Sequence, residues 1–178
     1  MAGKKFYYDD PEGDVLSPET SHPAFVKLCR SEFYYDCIDD FSPFGNDDGA
    51  EILSNLEEWY QEKKGKGDIV KWLFRTIDEY GFKYKSEGAS KMLEAKELQE
   101  LEETDPHFIS SMDHAIIAAA FGQMKISGHV DKGLKEIALM ALQRQLIINE
   151  KERDELSMRY KSQLATMTTD LIKAGQDL

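Results

Sequence analysis

The sequence predicts an all-α protein: an irregular multi-helix bundle of about six helices, with an acidic irregular N-terminal third and a long C-terminal helix. Three observations carry this. Apolar residues recur at steps of three and four along most of the chain after residue 50. Capping residues and prolines stand ahead of these runs, and glycines stand behind them. No two alternating segments are joined by a hairpin turn. With 178 residues, 41% of them hydrophobic, the chain can build one core. It reads as a single helical domain over 1–150, irregular over 1–15, with a helical extension over 151–178.

The elements follow in order. Residues 1–16 are polar and rich in Gly and Asp, so they read as irregular. Ser or Thr ahead of Pro23 marks a helix start, and Ala24 to Cys29 continues it. Residues 33–41 are aromatic without alternation and read as irregular or briefly extended. Turn formers crowd Ser42 to Gly49. Ile52, Leu53, Leu56, Trp59 and Tyr60 then make a helical stripe, with Asn46, Asp47 or Asp48 as its cap. A basic turn at Lys63–Gly67 precedes Asp68, which caps a helix striped by Ile69, Leu73, Ile77 and Tyr80 and stopped by Gly81. Trp72 and Phe74 widen that stripe. Gly88-Ala89-Ser90 opens a charged helix from Lys91 to about Glu103. Thr104-Asp105-Pro106 opens the most apolar helix, Phe108 to Met124, whose alanines on several faces predict a central position. Gly128 to Asp131 is a turn and cap. The last helical pattern runs from Asp131 to about Ala174. Its stripe of Leu156, Tyr160, Leu164, Met167 and Leu171 suits either packing within the chain or a pairing arm. The polar run Asn149 to Glu155 predicts a bend or an exposed section within it.

Charge limits the function classes. The formal net charge is −12. Residues 1–60 hold 14 Asp and Glu against 4 Lys and Arg, a net of −10. This disfavours nucleic-acid backbones, which need clustered Lys and Arg, and anionic membrane surfaces. A basic protein partner fits instead. The N-terminus lacks the apolar run of a secretory signal, and no stretch approaches a membrane span. Cytoplasmic localisation follows, with Cys29 and Cys37 as ordinary thiols and a Cys29–Cys37 disulfide as the lesser alternative.

Sought chemistry is sparse. His22, His107, His114 and His129 show no metal-ligand spacing, and no cysteine pair has zinc spacing. Asn46-Asp47-Asp48-Gly49 invites a calcium reading, but Gly49 as sixth residue of such a loop puts Phe44 first, where it cannot coordinate. The cap reading is preferred. No nucleophile elbow, phosphate loop or dinucleotide motif is present. The expectation is no catalytic residue, no metal and no cofactor.

Phe33-Tyr34, Asp39 to Ala50 and Leu56-Glu57-Glu58-Trp59, together with Leu16 to Pro23, resemble the YfeS-like group of small bacterial proteins. Ala118 to Met124, Gly128 to Asp131 and Ala138 to Gln145 carry the same resemblance. It covers roughly residues 15–146, and the arm beyond looks like an addition. The group implies no activity and no site residue. Small acidic helical proteins of this general kind resemble immunity proteins of bacterial toxin systems, which bind an effector and block it.

The expected function is therefore an acidic binding protein of the immunity type, blocking a basic toxin or effector by stoichiometric occlusion. The candidate partner-binding residues are Tyr34, Tyr35, Asp36, Asp39, Asp40, Asp47, Asp48 and Glu51. They come from the stretch Glu32–Glu51, where five aromatics and seven carboxylates occur without a lysine or arginine. Tyrosine beside carboxylate offers apolar area with a polar tip. Phe33, Ile38, Phe41 and Phe44 are the expected core anchors. The alternatives are a homo-oligomeric adaptor pairing through the 131–174 helix and a small enzyme with a carboxylate pocket.

Overall fold

The computed structural model describes residues 3–13 and 15–176. The ends of the expected irregular N-terminus (Met1, Ala2, Asp14) and of the C-terminal extension (Asp177, Leu178) lie outside the described residues. Among the described residues there are eight α-helices and no strand. They are α1 (Pro23–Leu28), α2 (Asp47–Lys63), α3 (Ile69–Asp78), α4 (Ser86–Ala89), α5 (Ala95–Thr104), α6 (Phe108–Ser127), α7 (Lys132–Ile148) and α8 (Glu155–Lys173). Two turns of 3-10 helix, Pro18–Thr20 and Glu32–Tyr35, punctuate the N-terminal third. The protein is a multi-helix bundle.

Helix α6 is its axis. All its residues are buried except Ser110, Ser111, His114 and Ser127. A helix apolar on every face must be enclosed, and α6 packs against α1, α2, α3, α5 and α7. Its small residues permit this. A Cβ at Gly122 would come within 3.1 Å of Leu56 and 3.4 Å of Leu53, so glycine there sets how closely α2 approaches.

The caps explain the boundaries. Asn46 accepts from the Gly49 N–H at 2.7 Å, Asp68 from Lys71 at 3.0 Å, Asp131 from Leu134 at 3.1 Å and Asp154 from Ser157 at 3.0 Å. Asn46 is thus the cap among the three expected candidates, and the turn-and-cap reading of residues 46–49 holds. The first helix is capped by His22, whose Nδ1 accepts from the Ala24 N–H at 3.1 Å.

Three expectations are corrected. The charged helix does not open at Gly88: α4 ends at Ala89 and α5 starts at Ala95. Ser90 is buried between them, and its carbonyl accepts a bond from Arg144. The final pattern is two helices rather than one, broken over Asn149–Asp154 because Asp154 caps a fresh start. Helix α8 folds back onto α7, and Tyr160, Leu164, Met167 and Leu171 are buried, so the stripe packs within the chain. Leu156 is left exposed at 60%. Of the expected core anchors, Phe44 is buried and Phe33 and Phe41 are partly buried, but Ile38 is 83% exposed. Ile38 sits in a turn closed by Asp36, which directs its side chain outward.

A charged network ties the bundle together. Arg144 on α7 and Asp113 on α6 are both fully buried. Arg144 donates to Asp113 Oδ1 from Nε at 2.9 Å and from a terminal nitrogen at 2.7 Å. Gln145 donates to Asp113 Oδ2 at 2.8 Å and accepts from the Tyr160 hydroxyl at 3.0 Å. Burial pushes the Asp113 carboxyl above its ordinary value, while the Arg144 guanidinium pulls it down. A second pair fixes the N-terminal segment. Buried Lys125 donates to Asp9 at 2.6 Å, and the Thr20 hydroxyl donates to the same oxygen at 3.0 Å.

Arg144→Met should strand the Asp113 charge and lower the unfolding free energy by about 3–5 kcal/mol. Adding Asp113→Leu should recover much of that loss, both read by urea denaturation. A second test concerns pH. Burial, with neighbouring His129, holds the His22 pKa below its ordinary 6.5. A depressed value means that the unfolded chain binds the proton more readily. The stability from the neutral ring is therefore present above 6.5 and lost as pH falls through the lower folded value. His22→Asn keeps an acceptor that does not titrate. It should flatten the fall in Tm between neutral and mildly acidic buffer, measured by circular dichroism.

Candidate functional site

The acidic aromatic stretch separates into residues that build the fold and residues left on the surface. Tyr34 belongs to the first set. It is fully buried, with ring centroids 5.9 Å from Phe25 and 5.3 Å from Phe121. Its hydroxyl donates to Asp170 Oδ2 on α8 at 2.7 Å. Desolvation pushes this phenol far up. Tyr34 is a bolt between the N-terminal third and α8, out of a partner's reach. Tyr35 is half-buried, edge-on to Phe25 at 6.0 Å, and its hydroxyl has no partner. Burial pushes its pKa up to about 12.

Asp39 is also spent on structure. Its side chain is 7% exposed, 3.5 Å from Arg159. It accepts from Gln163 at 2.9 Å and from the Phe41 N–H at 3.0 Å. Arg159 lies over the Phe41 ring at 4.9 Å, and Phe41 stacks on Tyr160 at 4.7 Å. Asp48, in the first turn of α2, faces His114 at 3.9 Å. The neighbouring His114 holds its carboxyl below the ordinary value, against the opposing effect of burial.

The remaining candidates are solvent-facing. Asp36, Asp40, Asp47 and Glu51 are exposed, and among the described residues none of them is ion-paired. Asp36 closes its own turn, accepting from the Ile38 and Asp39 N–H groups at 2.9 and 3.1 Å. Asp47 and Glu51 lie one turn apart on α2, at the helix end where negative charge is favourable.

Sequence reasoning missed an acidic cleft. A cleft of about 700 Å³ lies between α5, the end of α7 and the α7–α8 turn. Phe41, Leu98, Ile109, Ile148 and Tyr160 give it apolar walls. Asp40, Glu102, Glu103, Glu150 and Glu152 edge it, against a single lysine, Lys151. Only Asp40 among the predicted residues reaches it. The one signal available was the polar run Asn149–Glu155, which marked the turn but not what the turn would face. A smaller depression of about 460 Å³ holds Cys37, Phe44, Asp9 and Glu57. Burial raises the Glu57 pKa, and the Asp9 N–H bonded to it opposes this. Among the described residues, no three His, Cys, Asp or Glu side chains converge as a metal site would require. No helix there is long and apolar enough to cross a membrane.

The chain is 33% identical over 142 residues to the uncharacterized protein YfeS of Escherichia coli (strain K12). Over that stretch the chain is YfeS-like. The match covers 79% of this chain but 56% of the relative, so the chain spans little more than half of YfeS. No protein-family model and no solved structure matches it. The likeness to YfeS agrees with the family resemblance of the sequence blocks around residues 39–50 and 118–145.

The two cysteines differ sharply. Cys29 is fully buried, with its thiol pushed up by desolvation, whereas Cys37 is exposed, and both are free. A thiol reagent should modify one site in native protein and two after denaturation. Cys37→Ser should abolish the native labelling, read by intact mass.

Proposed function

We propose that this YfeS-like chain is an acidic binding protein of the immunity type. It works in the cytoplasm and neutralises a basic toxin or effector domain by covering it one to one. The observation that carries the reading is the set of exposed, unpaired carboxylates at Asp36, Asp40, Asp47 and Glu51. The fold sets Asp39 against Arg159 and Asp48 against His114, whereas these four are in no such pair among the described residues, although Asp36 Oδ1 also closes its own turn. Unpaired surface charge of one sign steers a partner of the other sign and fixes its orientation, more than it adds raw affinity. Exposed Ile38 and half-exposed Tyr35 supply apolar area beside Asp36. Nothing in this arrangement needs a cofactor.

A basic protein captured on the immobilised chain provides the test. Its association rate should fall by about one to two orders of magnitude from low to high salt. Its activity should be lost at a 1:1 ratio. The combined variant Asp36→Asn, Asp40→Asn, Asp47→Asn, Glu51→Gln should lose the salt dependence. An association rate indifferent to salt would sink the reading.

A further inference from the structure

We propose that the cleft between α5 and the α7–α8 turn is a docking groove for one amphipathic helix of the basic partner. This rests on the binding reading above and goes further, naming the place and the shape of the partner segment.

The walls and the edges ask for different chemistry. Phe41, Leu98, Ile109, Ile148 and Tyr160 are the apolar members of the lining; Leu98, Ile109 and Tyr160 are largely buried in the core, whereas Ile148 stays 46% exposed. A lining of this kind gains from apolar side chains spaced at i, i+3 or i+4, and i+7 on a helix. The carboxylates lie on two opposed edges: Glu102 and Glu103 on α5, and Glu150 and Glu152 on the turn. None is ion-paired. Lys151 is the one lysine or arginine in the cleft lining, and beyond it along the chain Arg153 and Lys161 are committed to main-chain oxygens. Arg153 donates to the carbonyls of Glu150 and Glu152, and Lys161 donates to both as well. Glu102 and Glu103 each accept one neutral hydrogen bond, from the His107 N–H and the Gln99 amide, so the negative charge of all four carboxylates is left without a cation from Arg153 or Lys161. Lysines or arginines flanking an apolar stripe would meet both edges at once, and an acidic helix would be repelled. A flexible polycation could satisfy the edges but not the walls.

The walls are also rigid. Gln145 and Tyr160 line the cleft and hydrogen-bond to each other at 3.0 Å, and Gln145 reaches Asp113. A preformed groove spares the ordering cost that a flexible surface would incur.

The probe is a synthetic Leu/Lys peptide with leucines on one helical face, titrated into the full chain by fluorescence anisotropy. Its Leu/Glu counterpart and polylysine serve as comparisons. The Leu/Lys peptide should bind, the Leu/Glu peptide should not, and polylysine should bind at least about tenfold more weakly. Ile148→Lys, and separately Glu102→Lys with Glu150→Lys, should weaken the Leu/Lys peptide about tenfold or more. Glu79→Gln, exposed and outside both the cleft and the carboxylates assigned to partner binding, should leave it within about twofold. Circular dichroism confirms that each variant folds. If Ile148→Lys folds and binds the peptide normally, the groove is overturned. The same holds if polylysine binds equally well, or if light scattering shows that a second copy of the chain occupies the cleft. A Leu/Lys peptide weakened by Asp47→Asn with Glu51→Gln, the α2 carboxylates of the binding reading, but by neither cleft variant overturns the groove while leaving the binding reading intact. No binding of that peptide also overturns it, and the salt dependence with the captured basic protein then decides the broader reading alone.

Discussion

The buried pair of Arg144 and Asp113 is the constraint on which the rest depends. Two full charges in a dry interior are tolerable only if each is matched in position and remaining donors are satisfied. Arg144 spans the gap from Asp113 on α6 to the Ser90 carbonyl between α4 and α5. Gln145 takes the second Asp113 oxygen and passes the network to Tyr160 on α8. Four regions of the chain thus meet at one set of hydrogen bonds. An apolar core could slide by a turn of helix at modest cost. This one cannot slide without orphaning a charge.

The network also shapes the surface. Its outermost members, Gln145 and Tyr160, are walls of the acidic cleft, and Tyr160 carries Phe41 stacked upon it. Phe41 in turn lies under Arg159, which faces Asp39. The loop around Asp39 and Asp40 is therefore held against α8 by aromatic and ionic contacts in series. Asp40 stands at the cleft edge because its neighbour Asp39 is anchored. One carboxylate builds the loop, and the next is presented by it.

The helices were legible because their signals are local. Asn46, Asp68 and Asp131 cap where periodicity demands a start, and the alanines of α6 announce a crowded centre. What was not legible depends on long-range partners. Ser90 looked like a helix opener, but its carbonyl belongs to Arg144, 54 residues away. Tyr34 reads as a partner-binding residue in the sequence, but its hydroxyl belongs to Asp170, 136 residues away. Ile38 looked like a core residue, but the Asp36 turn faces it outward. Composition located the acidic stretch and could not divide it, since Asp39 and Asp40 differ only in what the distant helix α8 offers them.

The break over Asn149–Asp154 joins fold and site. A continuous helix from 131 to 174 would carry its apolar stripe away from the bundle, leaving it unpaired. Asp154 ends that option by capping a new helix, and Arg153 and Lys161 hold the turn by taking its free carbonyls. Folding back covers Tyr160, Leu164, Met167 and Leu171. It also sets Glu150 and Glu152 opposite Glu102 and Glu103, making two acidic edges where a straight helix would have made none. Seven consecutive polar residues look like a solvated spacer in sequence. In the folded chain the first four of them, Asn149 to Glu152, line an acidic cleft, so the step that completes the core also creates the groove.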